Sequence, residues 1–241
     1  MLSIFVPALN EEKNIQSTID NLINISSKTN VEIEIIVCND GSTDRTYEIL
    51  LEKQNILSNL RIINNQKNLG IGASFKKALK IAKYEKIMIA PGDNDANYDL
   101  LVTIFNNVEK SDMITSYYLN KEMRGRFRNL VSTLFHSLYI LTFDIFLMYM
   151  NGPTIYPTKI LKTFKIHSDR FSIVSELTTK CLRSEITYME IAGKMNTGVN
   201  NSSALNIKNL VEVIVVYVKI FFEIYFKAKK DFSVRATRNY Q

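Results

Sequence analysis

Cysteine is scarce in this chain. Its 241 residues include only Cys38 and Cys181, too few for a disulfide framework, so a reducing cytosol is the expected setting. Histidine is as rare: His136 and His167 stand alone, and nothing resembles a His/Cys zinc site. Gly70 and Gly72 are too few for a dinucleotide fingerprint and no phosphate-loop Lys-Ser/Thr follows them, so helix entry and close packing account for both. There is no internal repeat, no low-complexity segment and no nucleic-acid-binding signature, which sets nucleic acid aside as a partner. No basic region, apolar segment and cleavage site precede the first apolar run, Leu2–Val6, so no signal peptide is expected. The two long apolar stretches are both interrupted: Leu130–Met150 by His136 and Asp144, and Leu210–Phe226 by Glu212, Lys219 and Glu223. A spanning helix needs about twenty predominantly apolar residues, so no transmembrane helix is expected either.

What is present can bury a full core. Hydrophobic residues make up 46% of the chain, and a length of this order often forms one α/β unit. Charge is unevenly distributed. Residues 1–100 carry 11 Lys/Arg against 13 Asp/Glu, and residues 101–241 carry 19 against 11. The excess gathers at Lys121–Arg128 and in the tail from Lys227 to Arg238. A one-sided basic half suits an anionic membrane surface or a phosphorylated acceptor; for the tail alone, a solvated basic surface explains the charge equally well.

Strand and helix periodicities alternate along the first hundred residues. Leu2–Val6 reads as a strand ended by Pro7, after which Asn10 can cap a helix with Ile15, Ile19, Leu22 and Ile23 at helical spacing. Val31–Val37 is a second strand, and Ser42 or Thr43 caps a helix running to about Gln54. Leu60–Ile63 is a third strand, and Gly70-Ile71-Gly72 opens a helix with Phe75, Ala78 and Leu79 on one face. Lys86–Ala90 is the fourth. This βαβαβαβ order predicts a mostly parallel, Rossmann-like sheet flanked by helices.

Two acidic clusters fall at the ends of apolar runs: Asn39-Asp40-Gly41-Ser42-Thr43-Asp44 after the second strand, and Asp93-Asn94-Asp95 after the fourth. Ligands of open α/β sheets sit just beyond the carboxyl ends of such strands. Carboxylates there can hold the sugar hydroxyls and the metal–diphosphate of a nucleotide sugar. An Asp-x-Asp by itself is weak, and Asp-Gly-Ser-Thr-Asp also serves as a turn and cap; the shared position at strand ends raises the functional reading of Asp40, Asp93 and Asp95.

The order and spacing of Phe5–Ile15, Val37–Thr46, Asn68–Ala73 and Asp93-Asn94-Asp95 resemble glycosyltransferase family 2, the inverting enzymes with a GT-A fold. The resemblance implies that Pro7, Glu11 and Asp40 hold the nucleoside, that Asp93 and Asn94 belong to the nucleotide site, and that Asp93 and Asp95 bind a divalent cation and the diphosphate, Asp95 being counted as catalytic. The second half is similar to the dolichyl- and polyprenyl-phosphate sugar transferase branch at Arg128–Ser132, at Asp144 with Asn151–Tyr156, and at Ser175-Glu176-Leu177. It departs from that branch at Leu9, Tyr117, Met195 and Asn201. Arg128 and Ser132 are implied to face a lipid phosphate.

The chemistry can also be argued without the resemblance. Breaking a sugar–diphosphate bond requires charge neutralised on the leaving group, which Mg²⁺ or Mn²⁺ held by Asp93, Asp95 and the amide oxygen of Asn97 would supply. A lipid phosphate acceptor is already anionic and needs only cations to hold it, for which Arg124, Arg126 and Arg128 are candidates. A sugar hydroxyl needs a general base, and Glu176 is the candidate, its alternative being an exposed helix position. The expected layout is a single GT-A domain over residues 1–205, with a nucleotide-binding half to residue 100 and an acceptor half after it, followed by an amphipathic helix and basic tail over 206–241. That helix is expected to lie on a membrane, pack on the domain or form a dimer contact. The expected activity is inverting transfer from a nucleotide diphosphate sugar to a polyprenyl phosphate, by a protein peripheral to the cytoplasmic membrane face. Transfer to a glycan hydroxyl and non-catalytic nucleotide-sugar binding are the alternatives.

Overall fold

A computed structural model describes residues 1–90, 97–123, 125–195 and 207–240, except for the side chains of Arg128 and of residues 207–210. Eight strands form one sheet: β1 (Leu2–Ala8), β2 (Ile33–Asp40), β3 (Leu60–Asn65), β4 (Lys86–Ile89), β5 (Met113–Tyr118), β6 (Thr154–Pro157), β7 (Thr187–Gly193) and β8 (Thr237–Arg238). Their spatial order is β3-β2-β1-β4-β6-β5-β7-β8. The first four are mutually parallel, as the alternating periodicity predicts. β6 runs antiparallel to both β4 and β5, while β7 and β8 continue parallel to β5.

The helices are α1 (Ile15–Thr29), α2 (Thr46–Ile56), α3 (Ile71–Ile81), α4 (Tyr98–Asn106), α5 (Arg126–Phe143), α6 (Thr158–Thr163), α7 (Ile173–Leu182) and α8 (Ile207–Phe222). A π-helical turn, Glu223–Lys227, prolongs α8. Alternation along the central strands sorts the helices into two layers. Ile4, Val6, Ile35 and Val37 point to one face and pack with Ile15, Ile19, Leu22 and Leu50 and with Leu100, Ile104 and Phe105. Phe5, Ile36 and Cys38 point to the other, with Phe75, Tyr139, Phe143, Ile173, Leu177 and Ile220. Each fully buried Leu, Ile or Phe of these layers contributes on the order of 1.5–3 kcal/mol.

Three local expectations are corrected. Pro7 does not end β1, which continues to Ala8 opposite Asn39. Leu2 donates to Glu32 on the β2 side and Phe5 accepts from Ala90 on the β4 side, so Pro7 faces β4 just beyond its last paired residue, Ile89. The missing N–H therefore costs no ladder bond. Asn10 does not cap α1, which starts at Ile15; it lies in the left-handed region at φ 58°. Ser42 and Thr43 do not cap α2: both are engaged by Asn10, and it is Asp44 Oδ1 that accepts from the amide of Thr46, 3.0 Å away.

The carboxyl-terminal segment is built into the domain. Val216, Ile220, Ile224 and Phe232 are buried in the same core as α3 and α7, and β8 extends the sheet beyond β7. Among the described residues, no helix is long and apolar enough to cross a membrane.

Candidate active site

The carboxyl ends of β1, β2 and β3 form a polar rim held by side-chain-to-backbone bonds. Asn10 Oδ1 accepts from Thr43 N at 2.8 Å, and Asn10 N donates to Ser42 Oγ at 2.9 Å, which joins the loops after β1 and β2. The same two loops are joined again where Glu11 N donates to Thr46 Oγ1 at 2.8 Å and Glu12 N to Asp44 Oδ2 at 3.1 Å. Burial works to raise the Asp44 carboxyl, but the bonds from the Thr46 hydroxyl and amide and from Glu12 outweigh it and hold Asp44 below its usual range. Between β2 and β3, Asn39 Nδ2 donates to Asn64 Oδ1 at 2.7 Å. Gly41 is required here: its φ is +80°, and a Cβ would lie 2.6 Å from the carbonyl carbon of Lys67.

Asp40 closes the floor of the rim. Its buried carboxylate accepts from Asn65 Nδ2 at 2.7 Å, Leu69 N at 3.0 Å and Gly70 N at 2.8 Å. These bonds tie the end of β2 to the entry of α3. Asn65 in turn accepts from Lys77 Nζ at 2.5 Å. Burial and the neighbouring Asp40 charge push the Cys38 thiol up, so Cys38 is no nucleophile in this environment. Pro7 and Glu11 stand at the same rim, Pro7 at the end of β1 and Glu11 accepting from Asn14 Nδ2 at 3.0 Å.

Across α3 stands a wall formed by residues 165–172. Asp169 O accepts from Ala73 N at 3.1 Å and its carboxylate pairs with Lys76 at 2.5 Å. Gly70, at φ +95°, leaves no room for a Cβ beside the Asp169 carbonyl. Glu176 holds this wall from behind. It is fully buried and accepts from His167 N at 2.8 Å, from Ser168 N at 2.8 Å and from Lys180 Nζ at 2.9 Å. Lys180, also fully buried, donates further to Lys165 O at 2.6 Å and Glu223 at 2.9 Å, and Glu223 also meets His167 Nε2. Glu212, from α8, accepts from Ser168 Oγ at 2.6 Å and from Ser172 Oγ at 2.7 Å.

These contacts alter the reading of two candidates. Glu176 is neither a free base nor an exposed helix position: both oxygens are taken by backbone N–H groups and an ammonium, so it positions the wall. Asn97 has its side-chain oxygen on the helix and not toward a cation, accepting from Asp99 N at 3.0 Å and Leu100 N at 3.4 Å as the cap of α4. Asp93, Asn94, Asp95 and Arg124 lie outside the described residues. Ala90, the described residue directly after β4, bonds through its N–H to Phe5 O at 2.9 Å, beside the end of β1. No group of three His, Cys, Asp or Glu with metal-binding geometry occurs among the described residues. The donor chemistry of Asp93 and Asp95, two hard carboxylate oxygens groups separated by one residue, nonetheless fits a hard divalent cation. Arg128 and Ser132 fall one turn apart on α5, Ser132 half-buried.

The part that Lys180, Glu212 and Glu223 play in the wall escaped the sequence reading. The one available signal was the i, i+4 spacing of Glu176 and Lys180; nothing local joins either to Glu223. An open cavity of about 540 Å³, lined by Lys110, Met189, Arg238, Asn239 and Tyr240, lies at the amino end of β7 and not at the rim.

The glycosyl transferase family 2 model matches residues 3–159, the stretch that builds β1 to β6. The chain belongs to glycosyl transferase family 2. Among curated members, a dolichyl-phosphate beta-glucosyltransferase of Trichomonas vaginalis is 29% identical over 114 residues, 45% of this chain and 35% of that protein. The chondroitin synthase of Escherichia coli is 29% identical over 132 residues, 55% of this chain and 19% of that protein. The matches thus span half or less of these relatives' own lengths. A solved structure of glucosyl-3-phosphoglycerate synthase from Mycobacterium tuberculosis, with Mn²⁺, uridine diphosphate and phosphoglyceric acid, superposes with a TM-score of 0.63 at 19% identity, covering 92% of this chain and 78% of that one. The fold of this family 2 member is GT-A.

Proposed function

We propose that this protein transfers a sugar, with inversion, from a nucleotide diphosphate sugar to a polyprenyl phosphate presented at the cytoplasmic face of a membrane. The observation that carries the choice of acceptor is the engagement of Glu176. A sugar hydroxyl must lose its proton as it attacks, which calls for a general base, and the candidate base is bonded on both oxygens. A phosphate acceptor brings its own negative charge and needs a cation and hydrogen-bond donors to hold it, for which Arg128 and Ser132, one turn apart on α5, are suited. The name of the dolichyl-phosphate relative agrees with this reading.

Pro7, Glu11 and Asp40 frame the nucleoside, Asp40 chiefly by setting the loop at Leu69 and Gly70. Asp93, Asn94 and Asp95 take the diphosphate side. A Mg²⁺ or Mn²⁺ ion bound by the two aspartates would neutralise charge on the departing diphosphate. Asn97 contributes the cap of α4.

The test is transfer from radiolabelled uridine diphosphate sugars to a short-chain polyprenyl phosphate or to glycan acceptors, with Mn²⁺ added. Lipid-linked product is expected, and Asp95→Asn should abolish it while leaving the melting temperature nearly unchanged. Donor screening by thermal stabilisation identifies the sugar, since a ligand bound only by the folded state raises the transition. Product on glycan hydroxyls alone would overturn the acceptor assignment, and turnover near wild type in Asp95→Asn would remove that residue from the site.

A further inference from the structure

We propose that the outward faces of α5 and α8 form a docking surface for an anionic lipid bilayer, a partner that goes beyond the proposed reaction and holds for either acceptor. Large apolar side chains recur at helical spacing on the solvent side of α5, namely Phe127, Leu130, Leu134, Leu138 and Leu141, the last 81% exposed. Val211, Ile214, Val218 and Phe222 do the same on α8, followed by Phe226 in its π-helical turn. The two helices meet through Tyr217, whose ring lies 5.3 Å from that of Tyr139 and whose hydroxyl is 2.5 Å from Thr142 Oγ1. Exposed apolar stripes on two adjoining helices are more than scattered surface leucines and mark an interaction site.

The charges around the stripes select the partner. An amphipathic surface helix ordinarily turns its apolar face inward and its polar face to water. α8 instead turns its acidic side chains and only one edge of its apolar face to the domain. Val216 and Ile220 are buried in the core, and the acidic side chains Glu212 and Glu223 are drawn onto residues 167–172 and Lys180. The outward arc is left with apolar residues and with the exposed cations Lys219 and Lys227. α5 contains no acidic residue and begins with exposed Arg126; Asp144, just past its end, is paired with Arg235. Exposed Lys229 and Lys230 follow the π-helical turn. Apolar stripes edged by cations complement acyl chains beneath anionic headgroups. A second copy of this chain would set the same cations against each other.

Sedimentation of the full chain with vesicles tests this. Vesicles containing phosphatidylglycerol should carry the protein down, phosphatidylcholine vesicles should carry down much less, and high salt should weaken the binding. Leu134→Glu with Leu138→Glu, and separately Val218→Glu with Phe222→Glu, should each weaken binding by about tenfold or more. Lys219→Glu with Lys227→Glu should remove most of the preference for phosphatidylglycerol. All six positions face outward, so melting temperatures should stay near wild type; serine replacements at the apolar positions, with the same expected loss of binding, serve if glutamate perturbs the fold. Absence of binding to phosphatidylglycerol vesicles overturns the proposal, as does binding that both apolar pairs leave unchanged. A solution dimer that those pairs convert to monomer, with no vesicle binding, assigns the face to a second copy instead.

Discussion

The rim at the ends of β1–β3 and the wall of residues 165–172, with the charges that hold it, are both polar and lie on either side of α3, yet they are built from different chemistry. The rim is made largely of neutral amides and hydroxyls, Asn10, Asn39, Asn64, Ser42 and Thr46, with carboxylates that accept from backbone N–H groups. Neutral groups in such turns can exchange partners at little cost, so a ligand can take over part of the network. The back of the wall is held by full charges withdrawn from water, Lys180 and Glu176 being wholly buried. Nothing there can be exchanged without leaving a charge uncompensated. Polarity alone therefore does not locate a binding site; what matters is whether the groups can be released.

The difference should show most strongly at Lys180. Lys180→Met removes the one ammonium between Glu176 and Glu223, and a loss of about 3–5 kcal/mol in urea denaturation is expected, the usual cost of breaking a buried ion pair. An unchanged midpoint would mean the wall is no more rigid than the rim. Next comes Asp40→Ala, which leaves the amides of Leu69 and Gly70 without their acceptor. Destabilisation of about 1–3 kcal/mol is expected, together with weaker donor binding even when metal is omitted. Calorimetry showing unchanged nucleotide affinity would detach the rim from the donor.

Glu176→Gln sharpens the contrast between holding a wall and moving a proton. The amide keeps the shape but loses the charge facing Lys180, so stability and turnover should both fall while the acidic limb of the pH–rate profile keeps its position. Loss of that limb would restore Glu176 as a base. The smallest effect is expected at Asp44→Ala, about 1 kcal/mol at neutral pH, as for loss of a helix cap. Because the Asp44 carboxyl is held below its ordinary value, its contribution is complete above the unfolded value of about 3.9 and disappears as pH falls through the folded one. Wild type and variant should therefore converge in thermal denaturation only once pH has fallen below the ordinary carboxylate range, and a gap that persists under strongly acidic conditions would assign the effect to packing.

Much of the rim was legible because its logic is local. Asp40 and Gly41 follow an apolar run, where a tight turn carrying a carboxylate and a glycine is expected. The helix starts were misread for the same local reason: Asn10, Ser42 and Thr43 are all competent caps, and only the approach of two loops directs them to one another. The wall was not legible, since Lys180 meets Glu223 across 43 positions and no pattern in either neighbourhood announces the pairing.

The parallel direction of β1–β4 follows from sequence alone, because the alternating βαβ order and its handedness are properties of short segments. The antiparallel insertion of β6, the engagement of Glu176 and the direction in which α8 presents its charges were decided only in the tertiary structure. Helical periodicity sets how wide an apolar face is; what lies against that face depends on which elements the rest of the chain brings to it.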